Sequence, residues 1–342
     1  MAGVDGPPVD ASEDPIGPST PPAHNLFDRS VRTERMKFAV FGAGGVGGYL
    51  GARLADAGHE VHLIARGDHL AALESDGLRL ESVRGDTAVD LPATDDPVEI
   101  GPCDCVLFCV KAHDTRDAAP DLEPLLGEDT AVVSFQNGVD NEGWLAEEIG
   151  AEHVVGGVAY IFSTIGEPGV VEHTGGPARF VYGELDGERT DRIEALDAAL
   201  SESEGVEAVL AADIRVELWR KFAFICAQAG MTATTRLPVG ELRETDASWA
   251  MYRRLIEEVC TVGRAEGVDL PEDTVDEWLE FARDLDPEMY SSLHYDLTHD
   301  KRLELEALHG SVVRHADEVG VDAPMNEAVH AILRPWADRA ER

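Results

Sequence analysis

The chain has 342 residues, of which 67 are acidic and 28 basic, for a formal net charge of -39. That length accommodates two domains of ordinary size with a substantial core, and the charge argues against a nucleic-acid partner or docking on an anionic membrane, both of which need clustered Lys and Arg. The acids are scattered along the chain and not gathered in a tail, so the expectation is a strongly solvated surface suited to a high-salt cytoplasm, where repulsion is screened.

Residues 1–35 are rich in Pro, Gly, Ser and acid, with almost no apolar periodicity; they read as a disordered tail, folded sequence starting at Met36. From 37 to about 183, β-rich runs alternate with amphipathic segments. Strands are predicted near 37–42, 60–65, 78–82, 104–110, 130–135 and 153–161, and helices near 46–58, 68–76, 113–125 and 140–149. This alternation predicts an α/β fold, a Rossmann-type doubly wound and mainly parallel sheet. Near 169–183 "GVVEHTGGPARFVYGE" reads as a hairpin added to that sheet, followed by a helix near 190–203 and a strand near 206–210. From Ile214 onward long helical runs without strands predict an all-α C-terminal domain. The expected division is 36–212 for the sheet domain and 213–338 for the helical one.

No apolar stretch reaches about 18 residues and no secretory signal is visible, so a soluble, cytoplasmic protein is expected. The five cysteines, Cys103, Cys105, Cys109, Cys226 and Cys260, contain no CxxC pair, and Cys105 and Cys109 read as small core residues. No metal site is expected.

"MKFAVFGAGGVGGYLGARLADAGHEVHLIAR" carries a G-x-G-x-x-G at Gly42, Gly44 and Gly47, between the strand "KFAVF" and the helix "VGGYLGARLADAG", with a second strand at βαβ distance. Gly42 allows the tight turn, Gly44 lets the backbone approach a pyrophosphate, and Gly47 lets helix and strand pack closely. The phosphates would rest on the helix N-terminus, where free N–H groups and the dipole favour anions. The second strand ends in Ala65 and Arg66 where NAD sites place an acid, and a guanidinium suits a 2′-phosphate, so NADP (NADPH) is preferred; Asp68 is a rival for a ribose contact. Lys111 and the run Gln136, Asn137, Gly138 follow two further strands, at the edge where such sheets bind ligands, although Asn-Gly also makes turns. The candidate cofactor-binding residues are Gly42, Ala43, Gly44, Gly45, Val46, Gly47, Arg66, Lys111 and Asn137.

Nicotinamide chemistry needs an acid to protonate the alkoxide that forms as the carbonyl is reduced. Lys221 in "IRVELWRKFAF" stands just past the domain boundary, where a cleft would open; the same lysine could equally be a surface cation pairing with Glu217 at i−4.

Five motifs in order, "FGAGGVGGYLGARLADAGHEV", "FCVKAHDT", "SFQNGVDN", "ELWRKFAF" and "SSLHYDLTHDKRLELEALHG", make the chain resemble the ketopantoate reductases (2-dehydropantoate 2-reductases) over about 37–335. The resemblance implies NADPH-dependent reduction of 2-dehydropantoate to (R)-pantoate, on the route to pantothenate and coenzyme A. It matches Lys221 to the catalytic lysine, and Glu304, twelve residues beyond Ser292, to the carboxylate that orients that lysine or meets the nicotinamide ribose. It matches Ser292 to the residue holding the substrate carboxylate and Asn137 to the junction of cofactor and substrate. A small 2-oxo acid is then the partner, and a homodimer is compatible with the resemblance.

The sequence departs from the family where asparagines often lie four and eight residues after the lysine: here stand Ile225 and Ala229, and Val239 replaces a third. Gln228, Thr232 and Thr234 are the nearby polar residues that could substitute. Reduction of another branched 2-oxo acid is therefore an alternative, and a non-catalytic NADP-binding sensor is an alternative of a different class.

Overall fold

The computed structural model describes residues 35–340. The strands are β1 (Lys37–Phe41), β2 (Glu60–Ile64), β3 (Leu78–Ser82), β4 (Thr87–Val89), β5 (Ala93–Thr94), β6 (Cys105–Phe108), β7 (Ala131–Ser134), β8 (Val154–Glu167), β9 (Val170–Glu184) and β10 (Glu207–Leu210). They form one sheet in the order β4-β3-β9-β8-β7-β6-β1-β2-β5, with β10 also pairing β9. Pairing is parallel throughout, except β8 with β9 and β3 with β4.

The near-continuous apolar runs of β1, β6 and β7 follow from burial on both faces, as parallel strands require. Alternation in β1 sends Phe38 and Val40 into one core and Ala39 and Phe41 into the other. Helices α1 (Gly45–Asp56), α2 (Gly67–Asp76), α3 (Thr115–Ala118), α4 (Asn141–Ile149) and α5 (Asp191–Glu202) lie between the strands in sequence.

After β10 the chain is helical: α6 (Ile214–Thr235), α7 (Val239–Glu244), α8 (Asp246–Ala265), α9 (Thr274–Asp284), α10 (Ser292–Thr298), α11 (Ser311–Val319) and α12 (Pro324–Ala340). Asp213 caps α6, its carboxylate accepting from the amides of Arg215 and Val216. Val158, Val181, Ile214 and Leu218 form a small core that fixes the start of α6 to β8 and β9. That anchor sets the position of Lys221.

Three local expectations are corrected. The helix expected near 113–125 is a short α3 between 3-10 turns, because Pro120 and Pro124 remove donors and interrupt the ladder. The segment near 169–183 is not a hairpin by itself but one long strand, β9, paired with an extended β8. Its "TGGP" is absorbed as an irregular stretch of strand, with Gly176 and Ala178 at positive φ and a register shift opposite. The helical spacing expected beyond Ile214 breaks over 291–320, which reads from its sequence as one run: α10 ends at Thr298, Asp300 takes a φ of +51°, and a π-helical turn at Glu306–Gly310 leads into α11. The short strands β4 and β5 went unpredicted. Of the expected tail, all but Arg35 lies outside the described residues.

Candidate active site at the carboxyl edge of the sheet

The glycine loop leaves β1 through Gly42, whose φ of +98° a side chain would strain. The amides of Gly42 and Ala43 both donate to the Ile64 carbonyl, at 3.1 and 3.0 Å, tying the loop to the end of β2. A Cβ on Gly47 would overlap the Gly42 carbonyl and lie 2.8 Å from Val40, whereas one on Gly44 would meet no heavy atom within 4 Å. Packing thus dictates Gly47, and space for a ligand lies over Gly44. A Cβ on Gly45 would overlap the Ser163 carbonyl, so close packing on β8 also calls for glycine there. No acidic side chain occupies the first turn of α1 and none caps it, which in so acidic a chain leaves the positive helix end free for an anion.

His69, in the first turn of α2, braces this loop and was missed by sequence reasoning. Its Nδ1 accepts from the Gly169 amide (3.0 Å), so Nε2 carries the proton and donates to the Ala43 carbonyl (2.8 Å). Arg66 precedes α2, 74% exposed, with a 3.6 Å ion pair to the exposed Asp121. Such a pair is weak and exchangeable for a stronger anion.

Beyond β6, Lys111 donates 3.2 Å hydrogen bonds to both Asp296 and Glu304. Burial pulls its ammonium down, but the charges of Glu304 and Asp296 outweigh burial and hold the pKa above the ordinary lysine value. Glu304 also accepts from the Ala112 amide (3.0 Å) and is 5% exposed. It lies in a non-helical stretch between the buried Leu303 and Leu305, and not in an exposed helix. Its hydrogen bonds therefore go to Lys111 and Ala112 and not to Lys221, which it reaches through space. Asp296 was also missed; it stands one turn beyond Ser292 in α10, a spacing that could have marked it.

Lys221, in the second turn of α6, donates a 2.9 Å hydrogen bond to Asn137 Oδ1 in the loop after β7. Its Nζ lies 5.9 Å from the centroid of the Tyr160 ring on β8. Burial pushes its pKa down to about 8, opposed by the charge of Glu304. The alternative pairing with Glu217 is not what forms: Glu217 bonds Arg220 at 3.3 Å. Asn137 is placed by its own carbonyl, which accepts from Asn141, and by Gly138, at φ +104° with its Cβ position 2.9 Å from the Ala307 carbonyl. Gln136 faces inward, donating to the Val110 carbonyl and to Thr115.

Ser292 is exposed at the first position of α10, while Ser291 caps that helix and meets Thr232 at 2.7 Å. Gln228 is buried with its Oε1 accepting from Tyr252, and Thr234 bonds back to the Gly230 carbonyl. Ile225 is half-buried, and Ala229 and Val239 are buried. All five cysteines are free thiols; burial pushes Cys109 up to about 12 and Cys260 to about 11, which leaves them unreactive. Glu266, His315 and Glu318 bring metal-ligand atoms within 4.8 Å of one another, but both ring nitrogens of His315 are engaged by carboxylates, Glu266 and Asp140. Among the described residues no helix is long and apolar enough to cross a membrane.

This geometry has counterparts in known proteins. Residues 38–187 match the family model for ketopantoate reductase PanE/ApbA, and residues 213–337 match that for its C terminal part. The uncharacterized oxidoreductase YkpB of Bacillus subtilis is 34% identical over 303 residues, covering 88% of this chain and 99% of its own length. A 2-dehydropantoate 2-reductase of Mesorhizobium japonicum is 32% identical over 323 residues, covering 88% and 98%. The crystal structure of a PanE/ApbA family ketopantoate reductase from Ralstonia eutropha JMP134 superposes with a TM-score of 0.83 at 37% identity, covering 90% of this chain and all of that one. Agreement that runs from the glycine loop through the last helices makes this chain a member of the ketopantoate reductase family, a pyridine-nucleotide-dependent oxidoreductase acting on a small molecule.

Proposed function

We propose that the protein uses NADPH to reduce the 2-oxo group of 2-dehydropantoate to (R)-pantoate, a step of pantothenate and coenzyme A biosynthesis, with Lys221 as proton donor. The observation that carries this is the 2.9 Å contact of Lys221 with Asn137, which sets a desolvated ammonium from the helical part against the ligand-binding edge of the sheet. An ammonium has three N–H bonds; Asn137 takes one and fixes the direction of the others. A pKa of about 8 suits proton donation near neutral pH, and low local dielectric strengthens the ammonium's hold on a developing alkoxide.

The donor set fits NADP. The loop from Gly42 to Gly47, through Ala43, Gly44, Gly45 and Val46, would carry the pyrophosphate on the α1 N-terminus, and Arg66 would take the 2′-phosphate. Lys111 and Asn137 would flank the nicotinamide half. Bound there, NADPH supplies the hydride. Glu304 holds Lys111 and the Ala112 amide in place and keeps Lys221 charged through space. The exposed Ser292 hydroxyl would take the substrate carboxylate.

Purified protein in high salt should oxidise NADPH when given 2-dehydropantoate. Lys221→Ala should lose turnover and still bind cofactor. Absence of turnover in the wild type, or its retention in Lys221→Ala, overturns the reading.

A second reading rests on Ile225, Ala229 and Val239, which offer no hydrogen bond to a substrate hydroxyl. A site without those amides discriminates less than a polar one and suits a branched 2-oxo acid without that hydroxyl. Comparing kcat/KM across a panel of 2-oxo acids decides; preference for 2-dehydropantoate removes this alternative.

A further inference from the structure

The loop that carries Asn137 ends at Asp140, just before α4. Asp140 is largely buried, its side chain 14% exposed, and two cationic groups from α11 meet it: Arg314 at 2.7 Å and His315 Nε2 at 2.9 Å. The other ring nitrogen of His315 lies 2.9 Å from Glu266, just past the end of α8. A neutral imidazole has a single N–H, and two carboxylates each need one, so His315 stands here as an imidazolium. The carboxylates push its pKa up to about 9, against burial. The same ring sits edge-on to Trp219, centroids 5.5 Å apart, two residues before Lys221 in α6.

His315 therefore touches both structures whose ends form the Asn137–Lys221 contact: the loop through Asp140, and α6 through Trp219. Without the imidazolium, Asp140 and Glu266 would face one another across the vacated site, and repulsion would push the loop away from α6. A shift of about 1 Å in the partners of a reacting group is enough to cost on the order of a hundredfold in rate.

We propose that His315 is a positioning residue for proton transfer: bridging Asp140 and Glu266 while packed on Trp219, it holds Asn137 where it aims the Lys221 ammonium. The proposal rests on Lys221 being the proton donor.

The test uses the full chain and the 2-oxo acid that wild type reduces fastest. His315→Leu should lower kcat by about tenfold to a hundredfold while the NADPH Kd changes far less, the glycine loop and Arg66 being untouched. Asp140→Asn should do the same, and the double variant should be no slower than the slower single one, because both break one linkage. His315→Arg, which restores a cation with several donors, should recover part of kcat. Wild-type kcat in folded His315→Leu, or losses that multiply in the double variant, would overturn the proposal. Should His315→Leu fail to fold, Asp140→Asn decides by the same criterion. Loss of activity in Lys221→Ala with normal kcat in His315→Leu sinks this inference alone; retained activity in Lys221→Ala sinks the assignment of the donor.

Discussion

Lys221 Nζ and Asn137 Oδ1 lie 2.9 Å apart although 84 positions separate them in sequence. Burial leaves the ammonium with a pKa of about 8, so in its proposed role of proton donor it is charged below that value and loses its proton as pH rises through it. The kcat profile of the wild type should fall on its alkaline side near pH 8. Asn137→Asp adds a negative charge beside the ammonium and should move that fall to higher pH, by about a unit or more. A profile that does not move would separate Asn137 from the titrating group.

Two glycines of the same motif should respond differently to one methyl group. Gly47→Ala drives a Cβ into the Gly42 carbonyl and should destabilise the fold by about 1–3 kcal/mol, read by denaturant unfolding. Gly44→Ala meets nothing in the protein and should leave the melting temperature alone while raising the NADPH Kd about tenfold or more. Equal effects on stability would contradict the space seen over Gly44.

Arg66 tests the choice of cofactor. Its partner Asp121 is exposed, so Arg66→Ala should cost no measurable stability. It should weaken NADPH by about tenfold and NADH hardly at all, since the lost guanidinium matters only to a 2′-phosphate. Titration with both nucleotides checks this.

His315 makes stability depend on pH with a defined sign. Its folded pKa is raised from 6.5 to about 9, so its contribution is complete below 6.5 and disappears as pH rises through about 9. The melting-temperature gap between wild type and His315→Gln should be widest near pH 6 and close by about pH 10. Arg314 stays charged throughout this range, so the gap measures the imidazole.

The sheet was readable because β1, β6 and β7 are apolar on both faces and separated by amphipathic helices, and because the glycines stand at one strand–helix junction. Lys221 was readable as a cation at a boundary between patterns. The bonding of Glu304 was not. Its stretch has helical spacing, yet positive φ at Asp300 ends that helix and turns the carboxylate toward Lys111. Asp140 and His315 were invisible for a related reason: each looks like an ordinary charge on a helix surface, and only tertiary packing brings them within 2.9 Å. Long β8 and β9 were misread because "TGGP" has turn chemistry that pairing with a neighbouring strand overrode.

The chain has four lysines, and the carboxylates around Lys111 and the burial of Lys221 drive those two in opposite directions. Near pH 8, then, an acylating reagent meets about half of Lys221 as the free, nucleophilic amine, while Lys111 stays a clamped cation. Mild covalent tagging followed by peptide mass mapping should therefore mark Lys221 by its own chemistry, and protection of that tag by a bound 2-oxo acid would report occupancy of the proposed site without any turnover.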